Sequence, residues 1–170
     1  MVYYTRGKGR EKGWDKVMKI ATLAIIVQNG KVLLGHKKKG EIGTNTLNGP
    51  GGKCEPGESL IECVVRETRE EVRIELDPTD ITETALITFY TGSVPDFEMH
   101  VFFTNHFSGT PQETDDMIPG WYDLNNLPLE RMLESDRTWF ERVARGERLR
   151  ANAYYRERAK DFERIEFLPL

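Results

Sequence analysis

The chain has 170 residues, of which 38% are hydrophobic and 31% charged, with a formal net charge of −4. A single domain is the simplest organisation at that length, because one core buries roughly 70% of the unfolded surface without staples. The longest apolar run, LAIIV at residues 23–27, is too short for a bilayer span of ~20 residues, and the acidic balance does not favour a stable nucleic-acid partner.

The opening stretch, MVYYTRGKGREKGWDK, is basic but has no apolar segment behind its charges. Residues 1–17 therefore read as a flexible basic N-terminal arm rather than a secretory leader, with residues 18–170 as the domain and the cytoplasm as the expected location. MKIATLAIIVQ and KVLLGHKK flank Asn29-Gly30, the strongest short-range signal for a two-strand hairpin. Residues 40–58, GEIGTNTLNGPGGKCEPGE, form a long Gly-rich connection, and loops of that length inside a compact domain are usually functional. The only two cysteines, Cys54 and Cys63, have neither CxxC spacing nor a nearby histidine. They read as free thiols, not as a zinc site or a disulfide framework.

From Ser59 to Val72 the apolar residues recur at helical spacing, with Pro56-Gly57 as breaker and Ser59 as N-cap. ITETALITFYT, FEMHVFFTNHF and IPGWYDL have the aromatic and β-branched bias of strands, separated by GSVPD and SGTPQETDD. LESDRTWFERVARGE predicts a second helix capped by Ser135 or Asp136, and RANAYYR with ERIEFLPL a last pair of strands. The pattern indicates an α+β or α/β layered fold with a mixed sheet.

The first helix poses a chemical problem. Ile61, Val64, Val65, Thr68 and Val72 define its apolar arc, and Glu67, Glu70 and Glu71 border that arc. Ion pairs of Glu62, Arg66 and Glu70 at i, i+4 spacing explain part of the charge as an ordinary solvated face. They do not explain Glu71, which lies closest to the apolar stripe and faces Glu67, so that burial and like charge both oppose its ionisation. A divalent cation held by carboxylate oxygens removes the conflict. The preceding GPGGKCEPGE adds Gly51 and Gly52 for close backbone approach, Lys53 as a phosphate partner and Glu58 as a further acid. It is not a Walker A loop, since Leu47 and Cys54 occupy positions where that motif needs Gly and Ser or Thr.

Gly52, Glu58 and the run Arg66-Glu67-Thr68-Arg69-Glu70-Glu71-Val72-Arg73-Ile74 closely resemble the Nudix box, G-x5-E-x7-R-E-U-x-E-E-x-G-U, where U is a bulky aliphatic residue. Thr68 departs from an aliphatic position. Arg73 stands where a glycine normally lets the chain leave the helix, so the exit turn is expected to be built another way. The resemblance implies an α/β/α sandwich with a mixed β-sheet between helices, and hydrolysis of a nucleoside diphosphate linked to a further group with Mg²⁺ or Mn²⁺ as cofactor. It implies Glu67, Glu70 and Glu71 with the Gly51 carbonyl as metal ligands, and one glutamate, Glu67 first, as base. It also implies Arg66 as the orienting cation, Glu58 beside Gly52 in support, and Lys53 on phosphate.

VLLGHKKKG, Asn48-Gly49, MHVFF, GTPQETDDMIPGW and the M-x-x-x-D-x-x-WF run at Met132 to Phe140 extend the similarity to the MutT-type branch, which hydrolyses oxidised purine nucleoside triphosphates such as 8-oxo-dGTP. That likeness implies Asp116 as a remote metal ligand, Lys37 as a substrate contact, and Asn48 and Asp136 at the edge of the base. Ser135 replaces a second base-reading aspartate and Leu133 a stacking tryptophan, with Phe89 and Tyr90 as substitute pocket residues. The expected activity is nucleoside triphosphate pyrophosphohydrolysis by a monomer or homodimer. Dinucleoside polyphosphates or nucleotide sugars are the alternative substrates, with Tyr90 as the signal for the former. A non-catalytic nucleotide- or RNA-binding module is a reading of another class, which the retained glutamates disfavour.

Overall fold

A computed structural model describes residues 18–170, so the basic arm expected at residues 1–17 lies outside the described residues. β1 (Lys19–Gln28) and β2 (Lys31–Lys37) form the expected hairpin. Asn29 and Gly30 turn it with φ of 51° and 74°, the two positive values that match the twist of the flanking strands. The hairpin then opens, because each strand takes other partners. β1 pairs antiparallel with β4 (Gly51–Lys53), and β2 pairs with β3 (Leu47–Asn48) and with β7 (Met117–Asp123). The other edge of β1 runs parallel to β6 (Val94–Thr104), which pairs antiparallel with β5 (Thr82–Thr91). β5 runs parallel to β8 (Leu149–Glu157), which forms a hairpin with β9 (Lys160–Leu168) at the edge. The result is one mixed sheet of nine strands in the order β3-β2-β1-β6-β5-β8-β9, with β4 on β1 and β7 on β2.

The short apolar run of β1 is explained by burial on both faces. Leu23 and Ile25 join Trp139, Phe140 and Val143 of α2 (Asp136–Ala144) in one core. Ala24 and Ile26 join Val64 and Val72 of α1 (Leu60–Val72) in the other. The sheet therefore lies between the two helices, the α+β arrangement the sequence predicts.

Several local features differ from expectation. The Gly-rich connection is not a bare loop: it contains β3 and β4, and β4 places Gly51 and Gly52 beside α1. The segment GSVPD turns only at Gly92-Ser93, since Val94, Pro95 and Asp96 already belong to β6. Ser135 stands at the N-cap of α2 without capping it. Its Oγ instead donates to Asp136 Oδ1 at 3.2 Å and accepts from the Tyr155 hydroxyl at 2.8 Å. Glu62 does not pair with Arg66; it closes a capping box with Ser59, accepting from the Ser59 N–H at 2.7 Å. The buried stripe of α1 is Cys63, Val64, Thr68, Glu71 and Val72, so the acid Glu71 lies within it while Ile61 is exposed. Thr68 is fully buried, with no hydrogen-bond partner for Oγ1 among the described residues.

The exit from α1 is also a correction. Arg73 adopts the left-handed conformation itself, φ 62° and ψ 30°, and its N–H donates to the Arg69 carbonyl at 3.1 Å. The turn is thus the ordinary glycine turn made by a residue with a Cβ, at a cost of roughly 1 kcal/mol. Arg73→Gly is expected to stabilise the protein by about 0.5–1 kcal/mol, read as a higher urea midpoint at unchanged slope.

Candidate active site

The acids of α1 are fixed from two sides. The loop before β7 docks on the end of the helix, with Thr114 Oγ1 donating to the Glu71 carbonyl at 2.8 Å and the Gln112 N–H to the Val72 carbonyl at 2.9 Å. These bonds satisfy carbonyls a helix end leaves open and bring Asp116 to the same cavity. On the other side, the Gly51 N–H donates to Glu71 Oε2 at 2.9 Å. Gly51 is required by contact, since a Cβ there would lie 2.1 Å from the Thr22 carbonyl oxygen, and a Cβ on Gly52 would lie 2.6 Å from the Glu67 carboxylate and displace it.

Arg66 binds the acids together. Nε and Nη2 make a two-pronged contact with Glu58 at 2.6 and 2.9 Å, and Nη1 reaches Glu67 at 2.8 Å and Glu70 at 3.2 Å. Nη2 also donates to the Lys53 carbonyl at 3.2 Å, tying β4 to the helix. The guanidinium holds the Glu58 carboxyl below its usual range. Glu67 behaves oppositely: burial pushes it up, and Arg66 only partly offsets this. Glu71 is pushed up to about 7, by burial first and then by the neighbouring Glu67 charge, while the Gly51 N–H and Lys37 pull it back.

These groups line a cavity of about 510 Å³. Glu67, Glu71, Asp116, Gly51, Gly52, Lys37, Lys53, Asn48 and Asp136 all reach it. Glu70 does not; its side chain is 54% exposed on the outer side of Arg66. Glu58 supports the wall through Arg66 without lining it. Tyr90 is not brought to the cavity either. Alternation along β5 turns Phe89 inward, where it stacks on Phe97 at 4.4 Å, while Tyr90 stacks on Tyr154 at 4.7 Å outside the cavity.

Asp136 is the most unusual group in the cavity wall. It is 1% exposed, and its Oδ1 accepts from Ser135 Oγ and Trp139 Nε1 at 3.2 Å each. Its Oδ2 has no partner among the described residues. Burial pushes its acid up to about 7, against those two hydrogen bonds.

Phe97, Met99 and Arg158 are among the lining residues that the sequence does not single out. Phe97 and Met99 lie on β6, where their inward face follows from register alone. Arg158, in the turn between β8 and β9, contacts buried Asp96 at 2.6 Å and Glu41 at 3.0 Å. Glu41 in turn holds Lys53 at 2.8 Å, so Lys53 has an acid partner in this state.

The donor set suits a hard divalent cation. Glu67 and Glu71 are largely buried acids without enough positive charge around them, and glycine backbone closes over both. Among the described residues no three carboxylate oxygens of Glu67, Glu70, Glu71 and Asp116 lie within 4.8 Å of one another.

Residues 18–143 match the family model described as the NUDIX domain. The chain is 36% identical over 123 residues to the oxidized purine nucleoside triphosphate hydrolase of Danio rerio, covering 72% of this chain and 77% of that protein. It is 34% identical, with the same coverage, to the Mus musculus protein of that name. A MutT protein from Bacillus halodurans superposes with a TM-score of 0.75 at 22% identity, over 88% of this chain and 97% of its own, and so shares the fold. A MutT protein from Methanosarcina mazei Go1 gives 0.63 at 27% identity, over 78% and 97%.

Proposed function

The chain belongs to the Nudix family as a Nudix hydrolase, and from that premise we propose that it converts purine nucleoside triphosphates, oxidised ones foremost, to the monophosphate and pyrophosphate. The observation that carries this reading is a single cavity holding two unlike sets of groups. One is the buried pair Glu67 and Glu71 with Asp116 and Lys37; the other is Asp136 among Asn48, Phe89, Phe97 and Leu133. The first suits a polyphosphate and the second a flat, polar-edged base. The relatives named as oxidized purine nucleoside triphosphate hydrolases supply the substrate class.

Glu67, Glu71, the Gly51 carbonyl and Asp116 would hold Mg²⁺ or Mn²⁺. When bound, the ion neutralises anhydride charge and lowers the pKa of the attacking water. Arg66 orients Glu67, whose upward shift from burial brings it closer to the range of a working general base. The Gly51 N–H fixes Glu71 Oε2, and Lys37 and Lys53 offer charge to phosphate oxygens. Burial raises the Asp136 pKa to about 7, so near neutral pH a substantial share of the group is the neutral carboxylic acid, able to donate and accept at a base edge.

The reading for dinucleoside polyphosphates rested on Tyr90, which points away from the cavity, so it has lost its supporting residue. Among the described residues no helix is long and apolar enough to cross a membrane.

The deciding experiment compares kcat/KM with Mg²⁺ for 8-oxo-dGTP, dGTP, dATP, diadenosine tetraphosphate and ADP-ribose. Pyrophosphate released fastest from a purine triphosphate is the expected result; ADP-ribose as the best substrate would overturn the assignment. Asp136→Asn gives a second check. It is expected to raise KM for the purine about tenfold, the worth of one well-placed hydrogen bond.

The same variant should alter stability with a definite sign. The native pKa of Asp136, about 7, lies above the unfolded value of about 3.8. The neutral acid's contribution is complete below pH ~4 and is lost as pH rises through ~7. Asp136→Asn is therefore expected to be more stable than wild type by about 1–3 kcal/mol at pH 8, with the gap narrower at pH 5 and gone only below pH ~4. Parallel melting curves at the two pH values measure it.

A further inference from the structure

We infer that Cys54 and Cys63 form a dithiol that a hydroperoxide closes into an intrachain disulfide beside the acid-bearing helix. Nine residues apart in sequence, these thiols are brought together by the turn from β4 into α1. Their Sγ atoms and a Glu58 carboxylate oxygen lie within 4.8 Å of one another, and both thiols are free.

Two sulfurs and a carboxylate also match a soft metal ion, but the third ligand is already taken. Both Glu58 oxygens accept from Arg66, at 2.6 and 2.9 Å, and Oε2 accepts from the Glu55 N–H at 2.9 Å as well. A metal would have to displace a bidentate guanidinium, and two thiolates alone fall short of the four ligands of a closed zinc site. What remains is sulfur chemistry between neighbours.

The two thiols differ in the way such a reaction needs. Cys54, just past β4, is partly exposed, whereas Cys63 is fully buried on α1. Peroxide therefore meets Cys54 first. Its thiolate attacks one peroxide oxygen, the O–O bond breaks, and water or an alcohol leaves, giving a sulfenic acid. The Cys63 sulfur then attacks Cys54 Sγ; the S–S bond forms, the S–O bond breaks, and the hydroxyl departs as water with the Cys63 proton. The dithiol loses two electrons and the peroxide gains them.

Closure requires the sulfurs to approach to about 2.05 Å. It draws Cys63 away from Thr22 Oγ1 at 3.3 Å and from the Gly52 carbonyl, to which it donates at 3.7 Å. Gly52 is the residue packed against the Glu67 carboxylate, so the bridge forms next to the acids without containing any of them.

The test reads thiols and masses, not turnover, and so stands apart from the substrate assignment. The whole protein is reduced, freed of reductant, treated with hydrogen peroxide, denatured and titrated with a thiol reagent. Both cysteines lie on the single tryptic peptide Cys54–Arg66. The expected result is loss of both titratable thiols, that peptide lighter by two hydrogens, and recovery of both thiols with dithiothreitol. In Cys63→Ser the expected outcome is over-oxidation of Cys54 to the sulfinic acid, because its resolving partner is gone. In Cys54→Ser, Cys63 should stay reduced under the same treatment. Two thiols surviving a peroxide excess that consumes free cysteine, a sulfinic acid at Cys54 in wild type, or disulfide-linked dimers would each overturn the inference.

Discussion

Glu71→Gln should abolish hydrolysis while making the metal-free protein more stable above neutral pH. The loss follows from removing an anionic oxygen that would meet the metal and from the central place of that metal in phosphoryl transfer; about a thousandfold in kcat/KM is expected. The gain follows from burial. Glu71 is 8% exposed and its native pKa, about 7, exceeds the unfolded value of about 4.5. Native protein therefore holds a proton that unfolded protein releases, and stability declines as pH rises from ~4.5 through ~7. The amide of the variant carries no such charge, so at pH 8 in a chelator it should exceed wild type by about 2 kcal/mol. Adding Mg²⁺ should reverse the order, since a ligand that binds only the native state stabilises wild type and finds an incomplete site in the variant. Melting temperatures with and without metal, alongside pyrophosphate release, measure both effects. Undiminished turnover would remove Glu71 from the site.

Arg66→Ala is expected to cost both stability and rate. Four of its contacts are to the carboxylates of Glu58, Glu67 and Glu70, and Glu58 and Glu67 are only 12% and 16% exposed. Removing the guanidinium leaves two poorly hydrated acids side by side, a loss of about 3 kcal/mol. Turnover should fall about 10–100-fold, because Glu67 loses the partner that orients it. Arg66→Lys should recover part of the stability and less of the rate, since one ammonium cannot reproduce the fork on Glu58. The acid limb of the stability profile gives a separate readout. Arg66 lowers the Glu58 pKa, so its contribution exists above the unfolded value and disappears as pH falls through the native one. In Arg66→Ala that dependence should flatten, and an unchanged acid limb would mean the pair contributes nothing.

The sequence made the local chemistry plain and left the long-range geometry hidden. Spacing of apolar and acidic residues was enough to identify α1 and the burial of Glu71, because both depend on contacts within a few residues. Asn29-Gly30 similarly dictates its own hairpin. Strand order could not be read that way, since the parallel pairings β1 with β6 and β5 with β8 depend on segments far apart. The same limit hid Arg158, whose contact to Glu41 spans 117 positions. It also misassigned Tyr90: adjacent strand residues face opposite ways, and the pairing shifts register between Phe89 and Tyr90. At Arg73 the motif demanded a glycine, and the backbone took the glycine conformation regardless. At Cys54 and Cys63 a short spacing concealed a neighbourhood created by the turn into the helix.

The parallel alignment of β1 with β6 bears on how the molecule comes into being. Lys19 meets Phe97 and Ile26 meets Thr104, so β1 leaves the ribosome and waits for its central partner until well over half the chain has been made. During that interval the apolar sides of Val64 and Val72 have no completed sheet to cover them. Such delayed closure favours slow folding and exposes nascent chains to aggregation, and a chaperone that shields the emerging N-terminal half should raise the yield of active enzyme.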